Sequence, residues 1–161
     1  MKSKLLKSRG FGMVEVLIGA TILTVGFMAL MNLYLSSYNY SSQNINQIKA
    51  GLLLEEGQEA VRILRDNSWS SNIGTLSTTT TYGIYFNNST WVATTTVSNV
   101  DNIFARTFRI YDVKRDGSQD ISSSGTYDSN IKKVVFSVSW VGQGSTTTKS
   151  VSTYITNVFS N

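Results

Sequence analysis

Apolar residues run almost without interruption from Phe11 to Leu35, and further along the chain they settle into two different rhythms. From Phe11 to Leu35, a run of 25 residues, Glu15 is the only charge, and the next is Lys49. At ~1.5 Å per residue such a helix is about 37 Å long, enough to cross a hydrocarbon core of roughly 30 Å with some tilt. Tyr34, Tyr38 and Tyr40 come next, where aromatic side chains favour a membrane interface. Further on, Ala50, Leu53, Leu54, Gly57, Val61 and Leu64 recur at three- and four-residue steps and mark one helical face. Glu55, Glu56, Glu59, Arg62, Arg65 and Asp66 occupy much of the remainder, with Glu59/Arg62 and Arg62/Asp66 spaced for side-chain pairing. The helix is therefore expected to continue past Leu35 and to end near Asn67, with Trp69 tucked against the C-terminal domain. Gly57 costs about 1 kcal/mol relative to Ala in a helix, so its place on the apolar face predicts close packing against a sheet.

The rhythm then shortens to two. Ser70 to Thr81 is rich in Ser, Thr, Asn and Gly and reads as a loop. Tyr82–Phe86 and Thr90–Val97 read as strands divided by an Asn87-Asn88-Ser89 turn. Arg106–Val113 alternates, setting Arg106, Phe108 and Ile110 against Thr107, Arg109 and Tyr111. Ile131–Val141 is the clearest strand, with Val134, Phe136, Val138 and Trp140 on one face and Ser137 and Ser139 on the other. Thr147–Phe159 is a last β-rich run, with Val151 and Ile155 facing inward. A long helix followed by antiparallel strands is an α+β arrangement, and the sheet must bury its apolar face against the Ala50–Leu64 face.

Glu15 is the anomaly in the apolar run. A carboxylate at the centre of a spanning helix costs about 2.5–3.5 kcal/mol on insertion scales, less near the end of the span. The positive end of the helix dipole favours an acid in the first turn. Ahead of the run, Lys2, Lys4, Lys7 and Arg9 form a basic leader that the positive-inside rule holds on the cytoplasmic side. Gly10 closes it with a backbone that a protease can approach closely. An ordinary secretory signal fits poorly, because its apolar region spans about 7–15 residues and ends at a small-residue cleavage site that is missing here.

The leader ending in Gly10, then Phe11, then Glu15 and the apolar helix, resembles the prepilin cleavage and methylation motif of type IV pilins and type II secretion pseudopilins. Val14 to Gly26 is most similar to V-type minor pilins and I-type pseudopilins. Gly12-Met13 departs from that family's usual Thr/Ser-Leu. The resemblance implies cleavage by prepilin peptidase between Gly10 and Phe11, N-methylation of Phe11, and a contact from Glu15 to a neighbouring subunit's new amino terminus. A carboxylate four residues from that amine lies on the same helical face. In a filament core with little water, leaving either charge alone would cost several kcal/mol, so such a pair selects axial register. On this reading residues 1–10 are the leader, 11–35 the transmembrane and filament-core helix, 36–68 its amphipathic continuation, and 69–161 a β-rich pilin-like domain. The expected partners are prepilin peptidase/methyltransferase, other pilin subunits through the N-terminal helix, and the membrane.

Composition narrows the chemistry. The chain has neither Cys nor His, so a disulfide, a thiolate metal site, and Ser/His or Cys/His nucleophilic pairs are all excluded. No Gly-rich phosphate loop is present, and no cofactor or enzymatic role is expected. Four of the 14 Lys and Arg lie in the leader, which leaves 10 basic against 10 acidic side chains and removes the net charge of +4. The Asp112–Asp120 segment does not match a calcium-loop spacing and reads as an Asp116-Gly117 turn. Three Asn-x-Ser/Thr triplets, at Asn39, Asn87 and Asn88, are frequent by chance in so Ser/Thr-rich a chain. Arg106, Arg109, Lys114, Arg115, Lys132 and Lys133, with Phe108 and Tyr111, are candidates for a single-stranded DNA strip, although a solvated rim that blocks edge pairing is the simpler account. The functional expectation is a structural subunit, a minor pilin or pseudopilin. The alternative is a membrane-anchored surface binding module that never polymerises, with DNA as a candidate ligand.

Overall fold

The computed structural model describes residues 12–142 and 144–159. Helix α1 runs Met13–Asn67 and is followed by a single helical turn, α2, Trp69–Asn72. Seven strands come next: β1 Tyr82–Phe86, β2 Trp91–Thr94, β3 Asn99–Val100, β4 Phe104–Arg115, β5 Ile121–Ser122, β6 Thr126–Gly142 and β7 Ser145–Thr156. The architecture is α+β, as the two rhythms predict. The chain divides between Asn44 and Ile45 into two compact units.

The second unit is built on one antiparallel sheet in the order β2-β1-β4-β6-β7, with β3 and β5 also paired to β4. β4 is the organising strand. Along one edge it takes β3 at Phe104 and Ala105, β1 at Thr107 and Phe108, and β5 at Lys114 and Arg115. Along the other it pairs with β6 from Ala105 to Arg115, with a register shift between Asp112 and Val113. That shift inserts Ser129, Asn130 and Ile131 on the β6 side, so two successive residues, Ile131 and Lys132, are both buried there.

One face of the sheet is covered by the end of α1. Ala50, Leu54, Gly57, Ala60, Val61 and Leu64 are the buried residues of the helix, at the steps expected of a single face. They meet Phe104, Phe108 and Ile110 from β4 and Val134, Phe136, Val138 and Trp140 from β6. The rings interlock: Phe108 stacks on Tyr82 at 5.6 Å between centroids and lies 6.1 Å from Phe136, and Phe104 lies 5.9 Å from Trp140. Trp69 is buried, and Ser68 caps its turn by accepting the Ser71 N–H at 3.2 Å. At Gly57 an added Cβ would stand 3.5 Å from Arg106 Cδ and 3.6 Å from Phe136 Cδ1. The helix backbone thus does approach the sheet closely here, yet it leaves room for one methyl group.

Several boundaries differ from the sequence reading. The Ser70–Thr81 loop begins with α2, and the Thr90–Val97 strand stops at Thr94, whose hydroxyl accepts the Thr96 N–H at 3.2 Å and turns the chain away. β4 and β6 extend beyond the expected ends, while β7 stops at Thr156, short of Phe159. The Asn87-Asn88-Ser89 turn forms as expected: Asn87 Oδ1 accepts the N–H groups of Ser89 and Thr90, and Asn88 takes φ +70°.

Candidate functional site

The residues that carry the candidate assembly chemistry stand at the start of α1. Gly10 and Phe11 lie outside the described residues. Glu15 is in the first turn of α1, with its backbone N–H bonded to Gly12 O at 3.0 Å. Its side chain is exposed, and it shares a face with Gly12 and Gly19, three residues before and four after. An added Cβ would meet nothing at either glycine. The carboxylate is therefore open to a partner approaching over those two glycines.

The first unit carries its apolar side chains outward all round. Val14, Leu17, Ile18, Ile22, Phe27 and Leu30 are all exposed, as are Leu33 and Leu35. Among the described residues this is the one helix long and apolar enough to cross a bilayer, by length and composition. Its hydroxyls suit that environment. Thr21 Oγ1 donates to Ile18 O and Thr24 Oγ1 to Ala20 O, each at 2.8 Å, so neither needs water.

In the second unit the structure brings two basic residues inside. Arg106 is only 6% exposed, and its Nη2 donates to Ile84 O at 3.1 Å. Its guanidinium lies 5.3 Å from the centroid of the Trp91 ring. Nη1 stands 2.7 Å from Glu56 Oε2, off the line of its N–H bonds, so the contact is an ion pair rather than a directed hydrogen bond. Arg106 Nε has no hydrogen-bond partner among the described residues. Lys132 is equally buried and donates to Asp112 Oδ1 at 2.6 Å and to the Tyr127 hydroxyl at 2.5 Å. Burial disfavours its charge, but those two partners more than compensate and raise its pKa above the ordinary lysine value.

These positions undo the DNA strip. Arg106, Lys132 and Phe108 point into the core, so three of the eight residues named for it present nothing to a nucleic acid. Arg109 is also engaged, donating to Thr78 O and Thr79 O while lying over Tyr111. Arg115 Nε donates to Asp128 at 2.7 Å. That bond, with the Asn130 N–H, holds the Asp128 carboxyl below its usual range. The strand alternation already carried the warning: Arg106 shares parity with Phe104, Phe108 and Ile110, and Lys132 with Val134 and Phe136. The Asp112–Asp120 segment is a self-bonded turn, in which Asp116 Oδ1 accepts the N–H groups of Ser118 and Asp120 at 2.9 and 3.1 Å. Asp112 is spent on Lys132.

No family model, curated protein or solved structure matches this chain. What the residues themselves show is an α+β protein with, among the described residues, one helix long and apolar enough to cross a membrane.

Proposed function

We propose that this chain is a prepilin-like structural subunit, cut between Gly10 and Phe11 by prepilin peptidase, methylated on Phe11, and assembled through α1 into a type IV pilus or type II secretion pseudopilus. A minor, priming or decorating role suits it best. The observation that carries this reading is the accessible acid in the first turn of a helix that carries no other charge before Lys49 and exposes apolar side chains all round its first half. A membrane anchor alone needs no carboxylate there, and insertion scales penalise one. A subunit whose neighbour brings a new ammonium into the same apolar layer does need it, because the two charges neutralise each other where water is scarce. The sheet unit, covered by the second half of the helix, is then the part displayed on the fibre.

Replacing Glu15 with Ala tests this directly. The expected result is normal membrane insertion and normal removal of the leader, with the subunit lost from sheared fibres or from the crosslinked pseudopilus. Glu15→Gln should fail in the same way, since it keeps the shape and removes the charge. Normal incorporation of both variants would overturn the role given to Glu15, and absence of the parent chain itself from fibres would favour an anchored module that does not polymerise.

A further inference from the structure

A groove of about 360 Å³ lies between the end of α1, the α2 turn and β2, and it takes no part in the assembly chemistry. Its walls include Leu64, Asn67, Ser71, Asn72, Thr90 and Trp91, and none of its lining residues is charged. The volume falls within the roughly 300–1,000 Å³ of small-molecule sites, which combine an apolar surface with a few placed polar groups. Three elements supply those groups. The Asn67 amide and the Ser71 and Thr90 hydroxyls make no hydrogen bond within the described chain. Asn72 uses Nδ2 on Leu64 O at 2.9 Å and keeps its amide oxygen. Amides and hydroxyls both donate and accept, so together they match a ligand whose rim does the same.

The aromatic wall is held in advance. Arg106 lies over the Trp91 ring at 5.3 Å, and Phe86 meets it edge-on at 5.6 Å. A ring fixed by two neighbours loses little freedom when a ligand stacks on it. An uncharged lining excludes phosphates, carboxylates and cations as preferred ligands, because nothing there offsets their desolvation. A flat aromatic surface beside amides and hydroxyls suits a molecule with a C–H face and a rim of hydroxyls. The geometry points to a neutral saccharide unit, stacked on Trp91 with its hydroxyls bonded to Asn67, Ser71 and Thr90. β2 is also an edge strand of the sheet, but it offers only four residues to an incoming strand, and strand addition would leave the side-chain groups unused.

The test is independent of fibre assembly. The full chain, ¹⁵N-labelled in phosphocholine micelles free of sugar headgroups, is titrated with millimolar glucose, galactose, N-acetylglucosamine and cellobiose while its three indole N–H signals are followed. The expected result is a saturable shift at Trp91 from at least one sugar, with Trp69 and Trp140 unmoved. Asn67→Ala and Ser71→Ala should each weaken that sugar roughly three- to tenfold, the worth of one hydrogen bond, without moving the unfolding temperature. Trp91→Phe, which keeps a ring beside Arg106 but removes that indole signal, should weaken it as well, read from the backbone amide of Ser71. A Trp91 signal unmoved by all four sugars, equal shifts at all three indoles, or unchanged affinity in both polar variants would overturn the proposal. So would a saturable response to the extended peptide acetyl-Val-Thr-Val-amide alone, which would identify the groove as a strand-addition site.

Discussion

Glu56 Oε2 on α1 stands 2.7 Å from Arg106 Nη1 on β4, and this ion pair joins the helix to the sheet beside Gly57, whose backbone comes close to Arg106 and Phe136. The two partners are unequal. Arg106 is buried, whereas the Glu56 side chain is 47% exposed and keeps much of its hydration. Buried pairs behave asymmetrically, because removing one member strands the other. Glu56→Gln should therefore destabilise the sheet unit by about 1–3 kcal/mol, leaving a guanidinium in the core without its counter-charge. Arg106→Met should cost less, since the acid rehydrates and an unbonded Nε leaves the core, which offsets the loss of the donor to Ile84 O. Near-UV circular dichroism melts of the two variants give the comparison, and the reverse order would refute it.

Gly57 gives a prediction of opposite sign. Its added Cβ would sit at ordinary contact distance, 3.5 Å from Arg106 and 3.6 Å from Phe136. Gly57→Ala should therefore stabilise the protein by up to about 1 kcal/mol, the helix-propensity difference. Gly57→Leu should destabilise it by roughly 1–3 kcal/mol through overpacking. Chemical-denaturation midpoints of the two variants should lie on opposite sides of the parent.

Gly125 tolerates no side chain. It takes φ +128°, and an added Cβ would stand 2.1 Å from Arg115 O. Gly125→Ala should cost about 1–3 kcal/mol from backbone strain alone, with the steric conflict adding to it. Hydrogen exchange should show the loss first at the β5–β6 connection and the end of β4.

Lys132 sets an alkaline limit. Its pKa is raised in the folded chain, because Asp112 and Tyr127 outweigh the burial that opposes its charge. A raised lysine contributes stability that is complete below its unfolded value, about 10.4, and is lost as pH rises through the folded one. The parent should therefore lose stability in that alkaline window. Asp112→Asn removes the strongest of the influences that raise it, so the lysine pKa should fall and the alkaline loss of stability should shrink. Unfolding free energies measured across alkaline pH, with Lys132→Met as the flat reference, check the difference. At the other end of the scale, the lowered Asp128 pKa makes the Arg115 contact a contribution lost as pH falls through that carboxyl's folded value.

Much of this fold could be read in advance because burial and periodicity coincide in it. The α1 face from Ala50 to Leu64 and the inward series from Val134 to Trp140 are both strongly patterned, and both sit in the core as read. Ala60 was missed because a small residue adds little to an apolar stripe. β3 and β5 were missed because two residues carry no period; they exist only because β4 offers them an edge. Arg106 and Lys132 were misplaced for a different reason. Residue type outvoted strand parity, although each had a partner, Glu56 or Asp112, whose pairing no local pattern reveals. The groove at Trp91 was likewise invisible, since it gathers side chains from the helix end, the α2 turn and the hairpin. The prepilin-like motif had the opposite character. It is readable only as sequence, and its Gly10 and Phe11 lie outside the described residues.

The central claim concerns the amino terminus that cells give this chain. Intact-mass measurement of the protein purified from membranes or fibres, with fragmentation of its first residues, decides it most directly. The account predicts a polypeptide beginning at Phe11 and carrying one added methyl group on its terminal nitrogen. A surface-localised chain that still begins at Met1 would contradict it.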